Sequence, residues 1–116
     1  MKKKKKKNYN IYSKFLNESK KSKILSFPKN ILPNYWLNII NINNKKIKIK
    51  NIIDKLQKKK ITVRQIWHPV HKLLPYQKSE SYNIIKADKL YKACLCLPSS
   101  ANLKLYQIKK ICNLLK

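Results

Sequence analysis

Apolar residues recur along the chain with two alternating periods. Ile49, Ile52, Ile53 and Leu56 fall at i, i+3, i+4 and i+7, which predicts an amphipathic helix over roughly 46–59. Leu105, Ile108, Cys112 and Leu115 form a similar stripe near the carboxyl end, with Ser100 or Asn102 placed to take up its free amide protons. Tyr9, Tyr12, Phe15 and Leu16 share one face of a helix running to about Glu18, which the small polar stretch "NESKKSK" breaks. Ile84, Ala87 and Tyr91 mark a further helix over 80–92. Three short runs, "YWLNIINI" (35–42), "ITVRQI" (61–66) and "ACLCL" (93–97), read as strands because they gather β-branched, aromatic and other apolar residues between turn-forming neighbours. The expected class is α/β: a two-layer sandwich with a small, mostly antiparallel three-stranded sheet and about four helices on one side.

The intervals also carry information. Each proline in "FPKNILPNYW" disfavours helix for the residue before it, so this stretch is extended or turning. "WHPVHKLLPY" has two prolines and reads as a structured loop after the second strand. Residues 2–7 are six consecutive lysines, whose mutual repulsion predicts a frayed, disordered tract ahead of one folded unit over 8–116.

Charge adds an ambiguity. The 116 residues carry a formal net charge of +25, which suggests a basic nucleic-acid-binding module. However, 28 of the 29 basic residues are Lys, whereas base reading and bidentate phosphate contacts draw heavily on Arg. Abundant Lys, Asn, Ile and Tyr with no Gly is also what A/T-rich codons supply, so part of the charge is compositional bias on a solvated surface. Non-specific polyanion binding at low salt follows in either case. The 43% apolar share is ordinary for a folded domain. The basic start is not followed by an apolar signal segment, and no apolar run is long enough to cross a membrane, so a cytoplasmic location with reduced thiols is expected.

Candidate chemistry concentrates in "RQIWHPVHKLLPYQ" (64–77), which holds the only Arg, both His and one of the two Trp. Arg64 offers a flat, permanently charged fork. Trp67 or Tyr76 can stack on a ring, and Arg64, His68, His71 or Lys72 can meet a phosphate from side chains alone, since a glycine-built phosphate loop is excluded. Burial of Trp67, Leu73, Leu74 and Tyr76 as core is the competing reading. His68 and His71 with Cys94 and Cys96 could make a zinc site, although C-x-C is tighter than the usual ligand spacing. Cys94 and Cys96 also read as buried small hydrophobes. With Glu18, Asp54, Glu80 and Asp88 as the only acids, paired-carboxylate chemistry has little to draw on.

"PNYWLNIINI", "ITVRQIWHPVHKLLPY" and "ADKLYKACLCLPSS", in this order, resemble the carboxyl-terminal part of the DegT/DnrJ/StrS-type sugar aminotransferases, most nearly the perosamine-synthase and legionaminic-pathway members. Arg64, Trp67, Pro69, Val70, His71 and Leu73 hold the family's late motif, with Pro75 and Tyr76 near its end. Gln65 replaces the usual Pro, Lys60 a frequent Gly, and His68 a common Phe or Tyr. The resemblance implies the small carboxyl-terminal domain of a fold-type-I enzyme that uses pyridoxal phosphate to aminate nucleotide-linked 4-keto-sugars for surface-glycan synthesis, with glutamate as donor and a homodimer as the working unit. It implies Arg64, Trp67, His68 and His71 on the substrate side. The Schiff-base Lys and the cofactor contacts would belong to a large domain not found in these residues. No catalytic residue, bound cofactor or metal is then expected of this chain alone, and a separate large-domain chain becomes a possible partner.

Overall fold

The computed structural model describes residues 1–44 and 46–116. Four helices, α1 (Lys2–Leu16), α2 (Ile49–Lys58), α3 (Ile85–Ala93) and α4 (Leu105–Leu115), surround four strands, β1 (Ser22–Ile24), β2 (Asn38–Ile42), β3 (Arg64–Gln65) and β4 (Cys94–Leu97). The sheet order is β1-β2-β4-β3 and every pairing is antiparallel. The α/β class and the antiparallel sheet agree with the sequence pattern, while the strand count rises from three to four.

The additional strand is β1. Ser22 and Ile24 face inward and Lys23 outward, opposite Ile42, Ile40 and Asn41 of β2. Three residues with one apolar side chain give too short a period-two signal to read against a polar background. Both edge strands are short and one carries an outward Lys, which limits pairing with other chains.

The lysine run expected to fray forms the first turns of α1. Asn8, Tyr12 and Leu16, spaced at i, i+4 and i+8, are buried and fix the later turns. Asn8 Nδ2 donates to the Ser100 carbonyl at 2.8 Å, and the Tyr12 hydroxyl to the Pro98 carbonyl at 3.0 Å. Once those turns are fixed, adding residues costs far less than nucleation, and Lys is a good helix former. The same contacts hold the "LPSS" corner after β4. Ser100 makes a turn upstream of α4 instead of capping it, and Gln107 accepts the Lys104 amide proton at 2.8 Å at the helix start.

Tyr12, Leu16, Ile40, Leu56, Leu95 and Ile108 are fully buried at the centre of the core. Strand alternation sends Ile40, Leu95 and Leu97 into it and leaves Cys94 and Cys96 on the other face. Two boundaries have backbone causes. Tyr35 has φ 56°, so β2 begins at Asn38 and not at 35. Lys60 has φ 59° and closes α2 with paired bonds, Lys60 N–H to the Gln57 carbonyl and Ile61 N–H to the Leu56 carbonyl. Lysine in this left-handed position costs about 1 kcal/mol that glycine would not.

Candidate functional site

The segment after β3 is a lip built against α3. β3 pairs only with β4, Arg64 opposite Cys96 and Gln65 opposite Leu95. Gln65 Nε2 donates to the Tyr91 carbonyl at 2.9 Å, which ties the strand to the last turn of α3. His68 packs edge-on to the Tyr91 ring at 5.0 Å between centroids. His71 Nε2 and Lys72 Nζ both lie 3.0 Å from Asp88 Oδ1. Asp88 and Tyr91 are three residues apart and so share one face of α3. Lys72 first, and then His71, hold the Asp88 carboxyl below the usual carboxylate range by hydrogen bonding and charge. Pro69 and Pro75 stiffen the loop into two 3-10 turns, Val70–Lys72 and Leu74–Tyr76.

Of the four residues expected on the substrate side, three are solvent-facing. Arg64 is exposed, with no ion pair among the described residues. His68 is exposed on its Tyr91 backing. Trp67 is 67% exposed and rests on Trp36 at 5.9 Å between ring centroids. His71 is half-buried with its ring turned to Asp88. The core reading of the other aromatic and aliphatic residues does not hold: Leu74 and Tyr76 are 85% and 48% exposed. Val70, Leu32 and Ile31 are also exposed.

Sequence reasoning missed Trp36, Asp88 and Tyr91 as parts of this lip. The sequence pattern places Trp36 in a strand, and the Asp88–Tyr91 face carries no signal beyond its i, i+3 spacing. The available signal for Trp36 was its rarity, since Trp36 and Trp67 are the only tryptophans and they meet. A tilted, exposed indole pair and an exposed guanidinium on the strand before it are side-chain types that suit a flat ring joined to an anion. Among the described residues no group of three or more His, Cys, Asp or Glu is arranged to hold a metal. Burial, and secondarily Cys96, raises the Cys94 thiol, so it behaves as a buried thiol.

The family model for DegT/DnrJ/EryC1/StrS aminotransferases matches residues 1–116. The chain belongs to this family. Solved structures share the fold at low identity. DesI, solved in the presence of its TDP-sugar product, superposes with a TM-score of 0.86 at 19% identity over 97% of this chain and 30% of its own. Helicobacter pylori PseC, an aminotransferase involved in the biosynthesis of pseudaminic acid, gives 0.83 at 21% identity over 97% and 31%. The sugar aminotransferase Spr1654 of Streptococcus pneumoniae in its PLP form gives 0.82 at 18% identity over 96% and 29%. The present chain thus spans about 30% of the length of these aminotransferases. No curated protein sequence matches it.

The family is pyridoxal-phosphate-dependent. The residues described here do not fit that cofactor by themselves. Apart from Lys5 and Lys72, which are half-exposed, every described lysine lies open to solvent, and Lys72 is engaged with Asp88. A lysine that reacts with a carbonyl is activated by desolvation or a neighbouring cation in a pocket. Asp88, the acid nearest the lip, is already bonded by His71 and Lys72. No catalytic step is therefore assigned to these residues.

Proposed function

We propose that these 116 residues supply the substrate-side small domain of an aminotransferase acting on nucleotide-linked 4-keto-sugars for surface-glycan synthesis, and that they do not turn over alone. What carries the reading is the exposed Trp36–Trp67 pair on a lip held stiffly to α3, with an exposed Arg64 on the strand that leads into it, in a chain of this family. The indoles cover a sugar or base face, Arg64 meets the pyrophosphate, and His68 sits at the rim. Asp88 positions His71 and Lys72, so the lip is set before the ligand arrives and little ordering entropy is lost on binding. The amino donor is glutamate. The reactive lysine and the pyridoxal phosphate come from a large domain, on another chain or on a further part of this one, in a homodimer. The cytoplasm, where nucleotide-sugars and reduced thiols coexist, is the fitting compartment.

The chain's own fluorescence tests this, because both tryptophans lie on the lip. Titration with a TDP-sugar is expected to change tryptophan emission with about millimolar affinity, as a half-built site should. Arg64→Ala is expected to remove the response. With glutamate, pyridoxal phosphate and a keto-sugar nucleotide added, the isolated chain is expected to show no transamination. Turnover by the isolated chain, or emission unmoved at high sugar-nucleotide concentration, would overturn the proposal.

A further inference from the structure

Lysines elsewhere line three concavities that the aminotransferase reading does not use; one holds Lys86, Lys89 and Lys92 beside α3, and the other two share a residue. The first of these two, of about 510 Å³, is lined by Lys59, Lys60 and Lys110 with the ring of Tyr106. The other, of about 480 Å³, is lined by Lys4, Lys7 and Lys104. Leu103 borders both, which places them side by side near the start of α4 as two halves of a trough. None of the four acids lines either part. Lys4 and Lys7, at i and i+3 on α1, are the members of the lysine run that turn toward the trough. Tyr106 is 64% exposed, and its ring stands among cations with no packing duty to explain it.

We propose that this trough binds single-stranded nucleic acid without sequence preference. A groove of positive charge that follows a phosphate backbone, with an aromatic face on which a base can stack, is the recurring solution for single strands. A base must be free of its own stack to reach Tyr106, which disfavours a duplex. The chain's only Arg lies on β3, outside the trough, so no side chain there offers the bidentate fork that reads guanine. An anionic membrane fits less well. The apolar face of α1, Tyr12 and Leu16, is spent in the core, so the helix that carries the lysine run has no apolar face left to enter a bilayer.

The test is fluorescence anisotropy with a labelled dT oligonucleotide of about a dozen bases, a length within known site sizes. Six lysines facing phosphates predict a slope of log K against log salt of about −4. The triple variant Lys59→Ala, Lys60→Gly, Lys110→Ala is expected to weaken binding at least tenfold at low salt and to flatten that slope by about 2. Glycine at 60 keeps the left-handed turn, so the fold is retained. Removing the same charge outside all three concavities with Lys20→Ala, Lys21→Ala, Lys23→Ala is expected to cost less than about threefold, as exposed charges away from the site are screened. Tyr106→Ala is expected to cost fivefold or more, with Tyr106→Phe close to the parent, as a stacked base requires. Equal losses from the two lysine triples would reduce the binding to net charge and overturn the site. So would an inert Tyr106→Ala, or tighter binding to phosphatidylserine vesicles than to the oligonucleotide.

Discussion

Two groups of apolar residues in this chain meet opposite fates. Leu95 and Leu97, on a strand paired on both sides, are 0% and 3% exposed. Trp67 and Leu74, on the lip beyond the edge strand, are 67% and 85% exposed, although each is at least as hydrophobic. Side-chain type does not separate them. The difference is that β4 has neighbours on both edges and helices over its inner face, whereas the lip is backed by α3 and Trp36 and is otherwise open. Packing within the chain explains why Leu95 must be apolar and large. It gives no such reason for Trp67, and the proposed sugar-nucleotide contact supplies one.

The largest expected effect tests that contrast directly. Leu95→Ala removes a fully buried side chain between Ile40 and Gln65 and is expected to cost about 2–5 kcal/mol, enough to unfold a marginal domain. Trp67→Ala removes a larger side chain and is expected to stay within about 0.5 kcal/mol, as exposed substitutions do. Urea denaturation measures both. A Trp67→Ala loss comparable to that of Leu95→Ala would make the lip part of the core.

The same contrast explains what was legible in the sequence. The stripes of α2 and α4 and the β2 and β4 runs stood out because burial on one face imposes a period, and a period survives a lysine-rich background. The class, the antiparallel sheet and the family blocks were readable for that reason. β1 was not, because three residues at an edge carry barely one period. The bounds of β2 and the helix-closing role of Lys60 depend on left-handed backbone that Tyr35 and Lys60 do not advertise. Within the lip, rarity pointed to Arg64, Trp67, His68 and His71, while their spatial neighbours come from elsewhere, Trp36 from 31 residues before Trp67 and Asp88 and Tyr91 from a separate helix. Only tertiary structure brings those together.

Titration separates the two regions at opposite ends of the pH scale. In the core, burial pushes the Cys112 thiol up to about 11, against 9.0 for an ordinary thiol, with Lys116 opposing the rise. The folded state therefore holds this proton where the unfolded chain has released it. The stability from Cys112 is whole below pH 9 and is lost as pH rises toward 11. Two units correspond to about 2–3 kcal/mol at most. Tyr12, raised by burial and then by Cys112, adds a loss at higher pH. Deprotonation of the many lysines relieves repulsion over the same range, so the measurement is a difference: the stability gap between the parent and Cys112→Ala, followed from pH 8 to 11. It is expected to narrow or reverse against the parent as pH rises. A gap that does not change with pH would mean that Cys112 reaches solvent.

At the acid end the lip responds and the core does not, and this is the smallest effect of the three. Asp88 is held below its ordinary value of 3.8, first by the Lys72 hydrogen bond and then by His71. A depressed carboxylate stabilises the folded arrangement above its unfolded pKa, and that contribution fades as pH falls through the lower folded value. Asp88→Asn removes it at every pH. Near neutrality the variant is expected to show faster amide exchange over residues 68–72 and lower tryptophan anisotropy, while its urea midpoint stays close to the parent, because Asp88 is half-exposed and touches none of the buried core. As pH drops below about 4, the lip of the parent should come to match that of the variant. A urea midpoint that falls as steeply as that of Leu95→Ala would show that Asp88 holds the core as well as the lip, and the division between the two regions would fail.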